Sequence, residues 1–158
     1  MQVLSSNEKK ELALSSRIFI VDNNSLLSAT LCQQLALEGF NDVIEVGIAD
    51  SLDNMLCSLN PDLVLLNFQM PESISIDICR RLRRNGFSKS IVMLIAKGAE
   101  NAMHLGLEAG ANDCIIKPFR MVELIALIRS QLCQLQKNDD MRFEIDSLSF
   151  ALANKTLS

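Results

Sequence analysis

The segment DLVLLN, residues Asp62–Asn67, decides the fold. Its four central residues are apolar in succession, without the alternation expected of a strand that has one face in water. An uninterrupted apolar run of this kind is typical of a strand covered on both faces, as in the middle of a parallel sheet. We therefore predict a buried strand here.

Four other segments read as strands, and helical patterns separate them. The predicted strands are RIFIVD (Arg17–Asp22), DVIEVG (Asp42–Gly47), SIVMLIA (Ser90–Ala96) and DCII (Asp113–Ile116). The predicted helices run from Ser25 to before Gly39, from a cap at Ser51 to before Pro61, over Ser75–Arg84, over Ala99–Ala109 with Gly110 as C-cap, and from after Pro118 to Leu135.

This alternation predicts an α/β fold, because parallel strands need crossover connections and these place helices on both faces of the sheet. In open sheets of this class, ligands bind beyond the carboxyl ends of the strands. The residues at those ends are therefore the candidates for a functional site. They include Asp22, Asn67, Ile95 and Lys117.

The composition bounds the class of protein. The chain has 158 residues, 49% hydrophobic, 22% charged and 4% aromatic, which fits one globular domain and excludes a disordered chain. A net charge of −4 argues against nucleic-acid binding by the domain's own charge. No apolar run approaches the roughly 18 residues of a membrane span, and the N-terminus lacks a secretion signal. We expect a cytoplasmic protein without membrane contact.

Five dispersed cysteines suggest neither disulfides nor a CxxC metal site, so we predict small apolar fillers. They are Cys32, Cys57, Cys79, Cys114 and Cys133.

Three regions are predicted along the chain. Residues 1–16 are polar and are expected to form a flexible N-terminal arm, with a possible short helix at Glu8–Leu14. Residues 17–135 form the domain. Residues 136–158 form a linker and two strand-like runs, Phe143–Ile145 and Leu148–Leu152, that are too small for a core of their own.

Four stretches at the strand ends, VDNN, DLVLLNFQMP, IVMLIAKG and GANDCIIKPF, occur in the order found in receiver domains of two-component response regulators, which the chain resembles over roughly Arg17 to Leu135. The closing Lys117-Pro118-Phe119 is the most specific match. The resemblance implies a CheY-like, flavodoxin-like fold: a doubly wound, five-stranded parallel sheet in the order 2-1-3-4-5. It also implies phosphorelay signalling, in which an aspartate accepts a phosphoryl group with the help of Mg²⁺.

The residues expected at the family's phosphoacceptor pocket depart from its pattern. Asn67 occupies the acceptor position, and its neutral amide cannot form an acyl phosphate. The acidic pair is reduced to Asp22 and Asn23. Asp22 could simply neutralise Lys117, so we expect weak or absent Mg²⁺ binding, no cofactor, no metal and no catalytic residue.

The switching parts of the pocket are also altered. Ile95 stands where a hydroxyl is usual, and Cys114 stands at the aromatic switch position, whereas Lys117 and Pro118 match. The resemblance therefore implies an atypical receiver, not an enzyme, that signals without phosphorylation. Two alternatives stay open: a phosphorylatable receiver with a non-standard acceptor such as Asp22, and a small-ligand-binding flavodoxin-like module.

A homodimer is the expected partner arrangement. OmpR-like transcription factors, the class that the chain resembles, dimerise through the fourth helix, fifth strand and fifth helix of the receiver. Here that face would be more apolar than usual, although its Met and Leu residues could equally be ordinary core. The expected face residues are Met103, His104, Leu107, Asp113, Glu123, Ala126 and Arg129.

Two further segments bear on nucleic-acid binding. Met141–Leu157 resembles the opening strands of a winged-helix domain, but the sequence lacks the recognition helix, so DNA binding is expected only through a C-terminal effector domain that is missing here. The basic run Arg80–Arg84 could bind phosphate, although a solvated helix face is the more usual explanation.

Overall fold

A computed structural model of the protein describes residues 4–23, 25–47, 52–67 and 72–134. Its strands are β1 (Arg17–Asp22), β2 (Asp42–Gly47), β3 (Leu63–Asn67), β4 (Ser90–Ile95) and β5 (Asp113–Ile116). Its helices are α1 (Ser6–Ser15), α2 (Ser25–Leu37), α3 (Leu52–Leu59), α4 (Glu72–Arg84), α5 (Glu100–Ala109) and α6 (residues 121–134).

The strands form one parallel sheet in the order β2-β1-β3-β4-β5. The predicted fold class and strand order are confirmed. All five residues of β3 and all six of β4 are buried, as their continuous apolar sequences require of central strands. The tail at 136–158, with its predicted strand-like runs, lies outside the described residues.

Two hydrophobic clusters flank the sheet. Because successive strand residues point to opposite faces, Phe19 and Val21 join one cluster whereas Ile18 and Ile20 join the other. The first cluster packs against α3, α4 and α5, and the second packs against α1, α2 and α6.

The N-terminal segment differs from the prediction of a flexible arm. Residues Ser6–Ser15 form α1, which begins where the Ser5 hydroxyl caps the Glu8 amide at 3.2 Å. Leu12 and Ala13 are buried in the second cluster, so the helix is docked on the domain. The short helix predicted at Glu8–Leu14 lies within α1, and Leu4 packs against the same cluster. The docking was not predicted, because these few apolar residues leave no clear periodic pattern.

The end of α5 was predicted correctly. Gly110 follows the helix with φ 117°, a left-handed conformation, and its amide donates to the Leu107 carbonyl at 3.2 Å. Among the described helices, none has the length and apolar character needed to cross a bilayer.

Candidate functional site

The carboxyl ends of β1 and β3 bring Asp22 and Asn67 together. The two residues are direct partners in the parallel register, so their side chains leave the sheet on the same face. Asn67 Nδ2 donates a hydrogen bond to Asp22 Oδ2 at 3.0 Å. Asp22 is 7% exposed and Asn67 is 1% exposed, so this contact is shielded from water.

A third residue, Ser28 on α2, completes this group. The Ser28 hydroxyl also donates to Asp22 Oδ2, and its residue is buried. One carboxylate oxygen therefore accepts two hydrogen bonds from neutral donors. Ser28 was not among the residues predicted from the strand ends. One feature of the sequence could have indicated it. Ser28 is a polar residue in the first turn of α2, on the side of the helix where Leu31 and Leu35 are buried.

The amide oxygen of Asn67 differs from the nitrogen in having no hydrogen-bond partner among the described residues. Asn67 Oδ1 is buried and accepts no hydrogen bond from the described residues. A buried acceptor without a partner costs about 1–3 kcal/mol, and a trapped water molecule can relieve such a cost. The pocket is therefore built around the donor side of the Asn67 amide, not around its oxygen.

The end of β4 contributes an apolar side chain. Ile95 is fully buried in the cluster that holds Val21, Leu66 and Met93, on the opposite face of the sheet from Ser28. Its carbonyl accepts a hydrogen bond from the Lys117 amide at 2.7 Å, which fixes the chain leaving β5. Because an isoleucine side chain has no polar atom, Ile95 cannot donate a hydrogen bond into the pocket.

Two predicted pocket residues follow directly on their strands. Asn23 is exposed immediately after β1. Lys117 is half-buried after β5, and a cis peptide bond joins it to the exposed Pro118. The sheet order places the ends of β1 and β3 side by side, with the ends of β4 and β5 following along the same edge.

Cys114 lies on β5, beside Met93 of β4, and packs against α5. Its Sγ lies 3.9 Å from the Met103 carbonyl, and a Cβ built on Gly106 would lie 3.8 Å from it. Burial, with a smaller contribution from neighbouring Asp113, raises the pKa of the Cys114 thiol to about 11. The side chain is a neutral, packed thiol at physiological pH, without the ring of an aromatic switch.

The sequence profile of the response regulator receiver domain matches residues 18–129. This chain belongs to that family. The match spans all five strands, and the resemblance predicted from the strand-end sequences is confirmed.

Related receiver-containing proteins and structures agree with this assignment. The "DNA-binding response regulator MtrA" of Mycobacterium leprae is 38% identical over 136 residues, which cover 86% of this chain and 58% of MtrA. "Response regulator MprA" of Mycobacterium avium is 30% identical over 141 residues, covering 89% of this chain and 60% of MprA. This chain thus spans less than two thirds of these relatives.

Among solved structures, a putative response regulator from Chloroflexus aurantiacus superposes with a TM-score of 0.67 at 27% identity. The superposition covers 75% of this chain and 98% of that one. Receiver domains are signalling modules, and this chain has their complete sheet.

Receiver domains as a family are associated with Mg²⁺, but the pocket residues here do not fit that ion. Mg²⁺ prefers several hard, charged oxygen ligands. The only carboxylate among the described pocket residues is Asp22, and one of its oxygens already accepts from Ser28 and Asn67. The Asn67 amide presents N–H groups, which repel a cation, toward that oxygen. The described residues contain no cluster of three or more His, Cys, Asp or Glu side chains suited to a metal.

The fourth helix, fifth strand and fifth helix of the receiver are α5, β5 and α6 in this chain, because α1 precedes the first strand. Part of the predicted dimer face lies on this edge. Met103 and Leu107 are one helical turn apart on α5, with Met103 partly buried against the core and Leu107 45% exposed. His104 is exposed and lies 3.1 Å from Glu108 of the same helix. The four residues of β5 are all partly exposed, since β5 is an edge strand.

Two charged side chains predicted for this face interact with other groups of the same chain. Asp113 accepts a hydrogen bond from the Cys114 amide at 2.8 Å, and Glu123 pairs with Arg120 at 3.1 Å. Ala126 is exposed on α6.

Arg129, which was predicted for the dimer face, forms an ion pair within the chain. Arg129 is only 18% exposed in its side chain and pairs with Glu38, beyond the end of α2, at 2.9 Å. Its guanidinium is therefore already paired with a carboxylate of the same chain. The helical sequence alone did not show which neighbour it would meet, because Glu38 is distant in the chain.

Proposed function

We propose that this chain is an atypical receiver domain that signals without accepting a phosphoryl group. The observation that carries the proposal is the hydrogen bond from Asn67 Nδ2 to Asp22 Oδ2. A receiver needs a free carboxylate as nucleophile at the end of β3. At that place this chain has an amide, oriented as a hydrogen-bond donor.

The surrounding residues support the same conclusion. Phosphoryl transfer depends on charge neutralisation of the moving group and on donors that follow it. Ile95 supplies no hydroxyl and Cys114 supplies no ring, so the usual link between the pocket and the α5–β5–α6 edge lacks both parts. The domain then has one conformation to offer its partners.

Asp22 is a poor alternative acceptor. Its side chain is buried, and Ser28 and Asn67 both donate to Oδ2. Hydrogen bonds from these donors lower the nucleophilicity of the carboxylate, and burial restricts in-line approach of a donor. We therefore rank a phosphorylatable receiver with a non-standard acceptor below the atypical receiver.

We further propose homodimerisation through the α5–β5–α6 edge as the output. Leu107 offers an exposed apolar side chain and β5 an open strand edge, and a second copy related by a two-fold axis could cover both. In this proposal the protein acts in the cytoplasm, is not an enzyme, and belongs to the OmpR-like class of transcription regulators. Binding to DNA would be carried out by a C-terminal effector domain. The name of the MtrA relative describes that protein as DNA-binding.

Mass spectrometry and sedimentation test the two halves of the proposal. Incubation with acetyl phosphate and Mg²⁺ should leave the intact mass unchanged. The sedimenting species should be a dimer whether or not beryllofluoride and Mg²⁺ are present. A phosphoryl adduct would refute the first half, and a monomeric wild-type protein would refute the second.

A matched pair of variants on α5 locates the dimer surface. Leu105 and Leu107 are similarly exposed, 43% and 45%, but two residues of helix place them about 200° apart. Leu107→Asp should dissociate the dimer, whereas Leu105→Asp should leave it intact. Dissociation by both variants, or by neither, would contradict this surface.

A further inference from the structure

We propose that a cleft beside α4 binds a small organic anion with an apolar body. The cleft has a volume of about 500 Å³ and lies between the carboxyl ends of β1 and β2, the start of α3, and α4. Among the described residues, its charged lining consists of three arginines, Arg80, Arg81 and Arg84, and the acidic Asp77. The site therefore carries excess positive charge on a chain whose net charge is −4.

The basic run of α4 is divided between two tasks. Arg83 is used inside the fold: its guanidinium donates to the carbonyls of Gly110, Phe87 and Lys89 and to Asn112 Oδ1, at 2.7–2.9 Å. The other three arginines do not share this clamp. They lie at positions i, i+1 and i+4 on one side of α4, and this side of the helix borders the cleft.

The cleft arginines keep hydrogen-bonding capacity for a ligand. Arg80 lies 3.6 Å from Asp77, and Arg81 lies 3.8 Å from Asp53, both beyond hydrogen-bond length. Arg84 has no ionic or hydrogen-bonding partner among the described residues. Guanidinium groups present planar sets of donors that match carboxylate and phosphate oxygens.

The inner wall of the cleft is apolar. Val21, Leu52 and Ile78 line it and belong to the cluster on the α3–α4–α5 side of the sheet. Val21 points to the opposite face of the sheet from Asp22 and Ser28, so the cleft lies on the other face from the hydrogen-bonded group of Asp22, Asn67 and Ser28. An inorganic anion would leave this wall uncovered, whereas a ring or short chain attached to the anion would fill it.

The size of the cleft favours a small molecule. Ligand pockets in proteins commonly measure about 300–1,000 Å³ and combine apolar walls with a few polar groups. Its strand residues, Val21 and Gly47, lie at the carboxyl ends of β1 and β2. This site is additional to the proposed dimerisation and does not depend on it.

Titration of the whole chain with three matched probes tests the proposal. Naphthyl phosphate and naphthoate share an apolar ring system with neutral naphthol but differ in the head group. We expect both anions to bind more tightly than naphthol, with backbone amide NMR shifts concentrated at Val21, Leu52 and Ile78. A stronger response to naphthyl phosphate would assign the head group as phosphate, and a stronger response to naphthoate would assign it as carboxylate.

Single substitutions then separate site binding from general attraction. Arg84→Gln should weaken binding of the preferred anion about three- to tenfold, the effect of losing one hydrogen bond that is partly exposed to solvent. Arg120→Gln removes an exposed arginine that pairs with Glu123 outside the cleft and should not change the affinity. Equal binding of naphthol, or equal losses in the two variants, would overturn the proposal. Thermal melting of each variant confirms that it is folded.

Discussion

Asn67 and Asp22 form a donor–acceptor pair across the ends of two adjacent strands, 3.0 Å apart and almost fully buried. The pair explains how an acidic side chain can be buried at the end of β1, beside an amide at the end of β3. The amide of Asn67 compensates part of the cost of burying the Asp22 carboxylate, as does the Ser28 hydroxyl.

Changing Asn67 to Asp should make stability depend on Mg²⁺. Without the ion, Asn67→Asp replaces a donor with a second carboxylate facing Asp22, and we expect a loss of about 2–4 kcal/mol in the free energy of unfolding. Millimolar Mg²⁺ should recover part of this loss in the variant and leave the wild type unchanged. Urea unfolding with and without Mg²⁺ measures both effects.

Asn85→Asp provides the control for this variant. Asn85 Nδ2 also donates to a carboxylate, Asp53 Oδ1, at 3.1 Å, but in an exposed setting. Its substitution should change stability by less than about 1 kcal/mol and without Mg²⁺ dependence. A wild-type protein stabilised by millimolar Mg²⁺ would contradict the poor fit of the pocket to this ion.

Arg83 should be essential for stability in a way that its neighbour Arg84 is not. Arg83→Gln leaves the carbonyls of Gly110, Phe87 and Lys89 without their shared donor and removes a contact with the Phe87 ring. We expect a loss of about 2–4 kcal/mol. Arg84→Gln should cost less than about 0.5 kcal/mol, and similar losses in the two variants by urea unfolding would refute the clamp.

The cysteines should differ in their reaction with iodoacetamide. The reactive form is the thiolate, and burial raises the pKa of Cys114 to about 11 and that of Cys32 to about 12. At pH 8 we expect exposed Cys57 to be alkylated well before either of them. Peptide mass mapping over time gives the order, and early modification of Cys114 would show that its packing is looser than described.

The same pKa shift predicts how stability changes with pH. A thiol whose pKa is higher in the folded state contributes stability that is present below its ordinary value of 9.0 and is lost as the pH rises toward 11. The free energy of unfolding should therefore fall over this range. Cys114→Ala should show a smaller fall than the wild type, and parallel pH profiles of the two proteins would contradict the assignment.

Docking of the N-terminal helix is tested by two leucines of α1. Leu12 is 8% exposed whereas Leu14 is 65% exposed. Leu12→Ala should lower the free energy of unfolding by about 2 kcal/mol, and Leu14→Ala should have almost no effect. Equal, small effects in a urea titration would show that α1 adds nothing to the stability of the domain.

The sequence predicted those parts of the molecule that local patterns determine. The uninterrupted apolar runs in β3 and β4 identified the central strands, and Gly110 marked the end of α5 because only a left-handed residue fits there. The strand-end residues Asp22 and Asn67 could be paired because parallel strands end at a common edge.

What escaped prediction depends on contacts between distant segments. Ser28 is an ordinary helix residue until α2 packs over the end of β1, and Arg129 meets Glu38 only after α6 lies beside α2. The docking of Leu12 and Ala13 follows from the shape of the second cluster. None of these contacts leaves a periodic trace in the sequence.

The pairing of Arg129 with Glu38 also has a mechanical consequence. The two residues are 91 positions apart, yet their ion pair ties the last described helix to the region that follows α2. A force applied to the C-terminal end of α6 would act, through this ion pair, on the segment that contains Glu38. A tilt of α6 relative to α2 would require breaking the Arg129–Glu38 ion pair.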